Sequence, residues 1–119
     1  MNKRTLANGG WIRGELEGHY EAFGDPRGDH GRRELALRIV HARVRDAVAS
    51  VPPPSGAGVA AMRQATLPAW VDFGDGRVHD MSLEDVHVVD WHAEALVDDL
   101  ATARGILRGT LYAKASKPP

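Results

Sequence analysis

The sequence predicts an α+β fold, mainly α, with three N-terminal helices, one β-hairpin and one long C-terminal amphipathic helix. Three observations carry this expectation. From Val86 to Thr110, apolar and small residues return at steps of three and four, the spacing of one helix face. From Leu37 to Val51 the same steps recur. Between them, Trp70 to Met81 reads WVDFGDGRVHDM, two short arms around Asp75-Gly76, a dipeptide favoured where a tight turn needs positive φ.

The first helix is expected over Thr5 to Phe23, where Trp11, Leu16, Tyr20 and Phe23 fall near helical spacing. It is a weak helix, because Gly9, Gly10, Gly14 and Gly18 each cost about 1 kcal/mol relative to Ala. In the second, Asp29 caps a helix that runs to Val51. Leu37, Val40, Val44, Ala47 and Val51 share its apolar face, and Glu34, Arg38, His41 and Arg45 line another. Pro52, Pro53 and Pro54 end it, since proline donates no hydrogen bond; residues 52–56 form a proline-rich joint. A short third helix follows over Ala57 to Thr66, and then the hairpin, with Val71, Phe73 and Val78 as its apolar members.

The long helix is expected from Leu83 to at least Leu107. Ser82 with Asp85 three residues on resembles a capping box. Val86, Val89, Ala93, Leu96, Leu100, Ala103, Leu107 and Thr110 form its stripe, with acids early and Arg104, Arg108 and Lys114 late, in the order that complements a helix dipole. The whole chain, 1–119, reads as one domain with fraying ends at 1–8 and 114–119.

Composition narrows the function classes. The formal charge is −1, so no global field draws the chain to polyanions. Without cysteine there are no disulfides, thiolate metal sites or cysteine nucleophiles. The basic N-terminus lacks the apolar stretch of a signal peptide, and no apolar run is long enough to span a bilayer, so a cytoplasmic protein is expected. Arginine, alanine, glycine and valine dominate, the mark of a GC-rich bacterium or of a phage or plasmid living in one.

Several short matches lack the context their chemistry needs. Gly56 to Ala61 fits a dinucleotide-binding pattern but follows prolines instead of a buried strand. Asp72-Phe73-Gly74 spells a kinase tripeptide in a chain too short for a kinase. On the long helix, His87, Asp90 and Glu94 share one face and are the candidate metal ligands. No second segment offers a matching pair, so neither metal nor cofactor is expected, and no catalytic residue stands out.

Trp91 lies opposite the Val86–Val89 stripe with Val88 and Ala95 beside it. These three form the candidate partner-binding face. Ala101, Gly105, Gly109 and Ala113 recur every four residues, allowing another backbone to approach closely. Arg63 and Gln64 on the third helix and Arg77 on the hairpin are candidate nucleic-acid contacts, because the element order is that of a winged helix with a dimerisation helix. The expected function is a non-enzymatic regulatory or protein-interaction module, binding a partner or a second copy through the long helix. A winged-helix DNA-binding regulator is the alternative, and a metal-dependent enzyme the third reading.

Overall fold

The computed structural model describes residues 10–24, 35–53, 62–98 and 102–115, and it overturns the helical expectation. The described residues contain no α-helix. They form five strands, β1 (Trp11–Gly24), β2 (Leu35–Ala49), β3 (Met62–Asp72), β4 (Val78–Asp98) and β5 (Thr102–Ala115), closed into a barrel in the order β1-β2-β3-β4-β5. The first two predicted helices are β1 and β2 where described, and Met62 to Thr66 of the third lie in β3. The long helix is the hairpin of β4 and β5. The cap at Asp29, Ala57 to Ala61 and the side chains of Leu96 and Leu100 lie outside the described residues.

Four of the strand interfaces are antiparallel. The exception is β2–β3, parallel and only three residue pairs long, from Ala42 opposite Ala69 to Val44 opposite Val71. Gln64 extends this short seam. Its Oε1 accepts from the Ile39 N–H at 2.9 Å, and its Nε2 donates to the Ile39 carbonyl at 2.7 Å and to the Thr66 carbonyl at 2.9 Å. The side-chain amide thus stands in for a peptide unit and satisfies both backbone groups of Ile39 where the ladder has stopped.

The core is built from complementary sizes. Along β1 the inward residues are Ile12, Gly14, Leu16, Gly18, Tyr20 and Ala22, in unbroken alternation. Facing them on β5 are Ala113, Leu111, Gly109, Leu107 and Gly105, so each large side chain of one strand meets a small residue of the other. Small barrels fill a tapering interior in this way. The fit is close: a Cβ on Gly105 would stand 1.9 Å from the Glu94 carbonyl oxygen, and one on Gly14 would stand 2.5 Å from Val44 Cγ1. The stripe of small residues is therefore real as close approach, but it serves the barrel's own interior instead of a helix partner.

Strands β2 and β4 alternate less regularly because bulges interrupt them. Register shifts fall opposite Gly14, between Glu84 and His87, and between Val89 and His92. At each of these an aspartate takes positive φ: Asp46 at 55°, Asp85 at 49° and Asp90 at 52°. Each of these three bulges places one residue in the left-handed region, and aspartate is among the few non-glycine types that accept it. Bulges bend the strand and let a small sheet close.

The β3 partner of β4 ends at the Met62–Val88 pair, whereas β4 continues to Asp98 on β5. Past the barrel, β2, β1, β5 and β4 form a four-stranded extension, and the molecule measures 54 × 31 × 18 Å. The β3–β4 hairpin turns through residues 73–77, with Gly74 and Gly76 at positive φ. The predicted Asp75-Gly76 pair lies inside this loop. Asp72 Oδ1 accepts from the Gly74 N–H at 2.7 Å, and Asp75 bonds His79 Nε2 at 2.8 Å. That bond holds the Asp75 carboxyl below its ordinary range.

Candidate functional site

Because strand residues alternate between interior and solvent, the outer wall can be read directly from the register. On β1 the outward residues are Arg13, Glu15, Glu17, His19 and Glu21. Glu21 faces Arg38 of β2 and Arg104 of β5, Glu17 faces Arg43 and Arg108, and Glu15 faces Arg45. Opposite charges directly across strands stabilise the pairing by roughly 0.2–1 kcal/mol each and disfavour slipped registers. Between the two Arg–Glu–Arg rows, His19 faces His41.

Next to this histidine pair the wall is hollowed. Glu17, His19, His41, Ala42, Arg43 and Trp70 line an open recess of about 450 Å³. Trp70 is 45% exposed although its neighbours on β3, Ala69 and Val71, are fully buried. Its indole and the His41 ring make a T-shaped contact, with centroids 4.7 Å apart at 72°. Arg43 lies in register with Trp70 across the β2–β3 seam. The bulge at Val40 sets this geometry: His41 faces His19, and the next residue of β1, Tyr20, faces Ile39. This shift turns both Arg38 and His41 outward. Glu17 is engaged from the far side by Arg108 Nη2 at 3.0 Å.

A second cluster sits on the outer face of β4. Trp11 stacks edge-on to His87 at 6.0 Å, and the Lys114 ammonium lies 5.5 Å from the Trp11 ring centre and 3.4 Å from Asp85. Burial holds the His87 imidazole below its ordinary pKa, and the charge of Arg63 adds to this. A shallower recess of about 310 Å³ beside it is lined by Arg63, Gln64, Ala65, Asp85, Val86 and His87.

The residues singled out from the sequence are dispersed by the barrel. Val88 is fully buried in the core, whereas Trp91 is 40% exposed, so they do not share a face; the side chain of Ala95 lies outside the described residues. Trp91 falls where β4 has passed the end of β3. His87 packs on Trp11, Asp90 occupies a bulge, and Glu94 sits 4.0 Å from Arg108. Helical spacing joined these three, but along a bulged strand no cluster of three metal-ligating side chains forms among the described residues. Arg63 lines the shallower recess, Gln64 is committed to the β2–β3 seam, and Arg77 is exposed in the hairpin loop. The winged-helix reading falls with its helices. Helical spacing singles out none of His19, Arg43 and Glu17, and Trp70 enters only as the first residue of the hairpin segment, yet one signal is present: every odd position from Arg13 to Glu21 is polar.

Fold and wall together define a small, closed, mixed β-barrel with an open recess on its outer surface, lined by Trp70, two histidines, Arg43 and Glu17. The chain matches no family model, no curated protein and no solved structure. No helix among the described residues is long and apolar enough to cross a membrane.

Proposed function

We propose that this chain is a non-enzymatic binding module that takes its partner on the outer wall of the barrel at Trp70. The observation carrying this reading is the half-exposed indole, in T-shaped contact with His41 and lining a recess that also holds Arg43. A tryptophan left in water forgoes burial worth about 25 cal/mol per Å². Tryptophan and arginine are also the types that most often dominate binding energy. Trp91, exposed on β4 beyond its last β3 pair among the described residues, supplies a second contact in the same reading.

The test compares partners captured from a host extract by the wild-type chain and by Trp70→Ala. Loss of the captured set, with an unchanged thermal melt, supports the module. The same set held by both chains overturns it.

A further inference from the structure

Resting on that reading of the Trp70 wall, we propose that its occupant is a single strand of nucleic acid. A base lies against the Trp70 indole, and the backbone phosphates run along β2 over Arg43 and Arg45. Three features of the wall point to this chemistry.

The first is the aromatic platform. Trp70 makes a T-shaped contact with His41, is 45% exposed and lines the recess. Stacking of an unpaired base on such a ring tolerates any sequence, because every base has a π-face. Here the ring is bordered by Glu17, His19, His41 and Arg43, with Ala42 the single apolar neighbour in the recess.

The second feature is the cationic row. Arg38, Arg43 and Arg45 all point outward from β2, and His41 lies among them. Outward residues of a strand recur about every 6.8 Å, a spacing on the order of that between successive phosphates in an extended single strand. The β1 glutamates Glu15, Glu17 and Glu21 face this row across the ladder without engaging it at ion-pair distance. Glu17 is held by Arg108, and none of the three β2 arginines makes an ion pair within 4.0 Å among the described residues.

The third feature concerns shape. The recess opens on a barrel wall, and the described residues present no helix to enter a major groove. A ring that needs an unstacked base finds one in a single strand but not in an intact duplex. The net charge of −1 confines the attraction to this wall.

The experiment is a fluorescence-anisotropy titration of the full chain with labelled oligothymidylate and oligouridylate of roughly a dozen nucleotides, alongside a duplex of equal length. It is repeated across a salt series. Single strands are expected to bind at least tenfold more tightly than the duplex and to quench tryptophan fluorescence, a quench that Trp70→Ala removes. Trp70→Ala should weaken binding at least tenfold, and Trp70→Phe should recover most of it, since stacking needs a ring and not an indole. Arg43→Ala should reduce the slope of log affinity against log salt by about 0.7, the share of one phosphate contact on a single strand. Circular dichroism and melts on each variant exclude unfolding as the cause.

Absence of saturable binding at low salt overturns the proposal, as does equal affinity for the duplex or a Trp70→Ala chain that binds as well as wild type. If oligonucleotides fail but Trp70→Ala still strips proteins from the captured set, the wall stands as a binding surface with a protein occupant. If neither changes, both readings fall.

Discussion

Strands β1 and β4 solve the same problem in opposite ways. Each must lie in the wall of a very small barrel and present one face to a shared core. Strand β1 keeps strict alternation and makes room with glycine: Gly14 and Gly18 each sit where a Cβ would strike a β2 side chain. Strand β4 keeps its larger side chains and bends, placing Asp85 and Asp90 in the left-handed region at two bulges. Packing by deletion and packing by curvature meet at the β4–β5 ladder, where a Cβ added at Gly109 would stand 3.1 Å from the Trp91 Cα. Tightness is thus concentrated on the glycine strands and tolerance on the bulged one.

The largest expected effect breaks the glycine side. Gly105→Val places a branched side chain against the Glu94 carbonyl, whose oxygen already stands 1.9 Å from an ideal Cβ. Backbone cannot yield as a side-chain tip does, so a loss of at least about 3 kcal/mol is expected, the upper range of overpacking. A denaturant melt measures it, and a loss below about 1 kcal/mol would show that the β1–β5 interior is looser than the geometry states.

Next comes the large partner in the same pairing. Leu111 is fully buried opposite Gly14. Leu111→Ala would put two small residues face to face and leave a cavity, costing about 2–5 kcal/mol. Restoring volume from the other side with Gly14→Ala should not rescue it, because the Gly14 Cβ position is already filled by Val44. Additive losses in the double variant confirm this, whereas recovery contradicts it.

The bulged strand should respond less, and in both directions. Asp90→Gly relaxes a residue at φ 52° and should change stability by no more than about 1 kcal/mol, in either direction. Asp90→Val forces a β-branched residue into that region and should cost about 1–2 kcal/mol. Equal effects of the two substitutions would mean that the bulge is not held by its backbone conformation.

The smallest effect is a slope. The folded chain holds His87 below the ordinary value of 6.5, chiefly by burial, so the unfolded chain takes up this proton first as pH falls. The sign follows from linkage: the residue's contribution is complete above about pH 6.5 and declines as acid is added, until the folded pKa is passed. His87→Gln should flatten that part of the stability–pH curve. Melts at several mildly acidic pH values decide it, and an unchanged slope would assign the acid sensitivity elsewhere.

The same contrast explains what was legible in the sequence. Strand β1 hid because two of its six inward positions are glycine, so apolar alternation reads as a broken, glycine-weakened helix. Strand β5 hid likewise behind Gly105 and Gly109. In β2 and β4 the bulges were at fault. Inward residues Leu37, Ile39, Ala42, Val44 and Ala47 step by two and three, and Leu83, Val86, Val88 and Ala93 step irregularly. Averaged over a window, such steps imitate helical spacing. Val40 and Val51, counted on the helix face, are 41% and 58% exposed. Only the β3–β4 arms, free of bulges, showed their strand character around Asp75-Gly76. The site was illegible for a topological reason: Trp70 meets His41 and Arg43 through the parallel seam, which joins segments nearly thirty residues apart without a turn to announce it.

That seam has a further consequence. A cylinder fastened by four long hems and one short one fails along the short one. Between β2 and β3 there are three backbone pairs and the amide of Gln64. Thermal breathing of the wall therefore begins there, and the exchange rate of the Ile39 amide proton, tied to a side chain instead of a strand, serves as its clock. Whatever molecule reaches from Trp70 to Arg43 crosses this hem as a stitch. Occupancy of the recess should then slow the Ile39 clock while leaving the β1–β5 interior at its original pace.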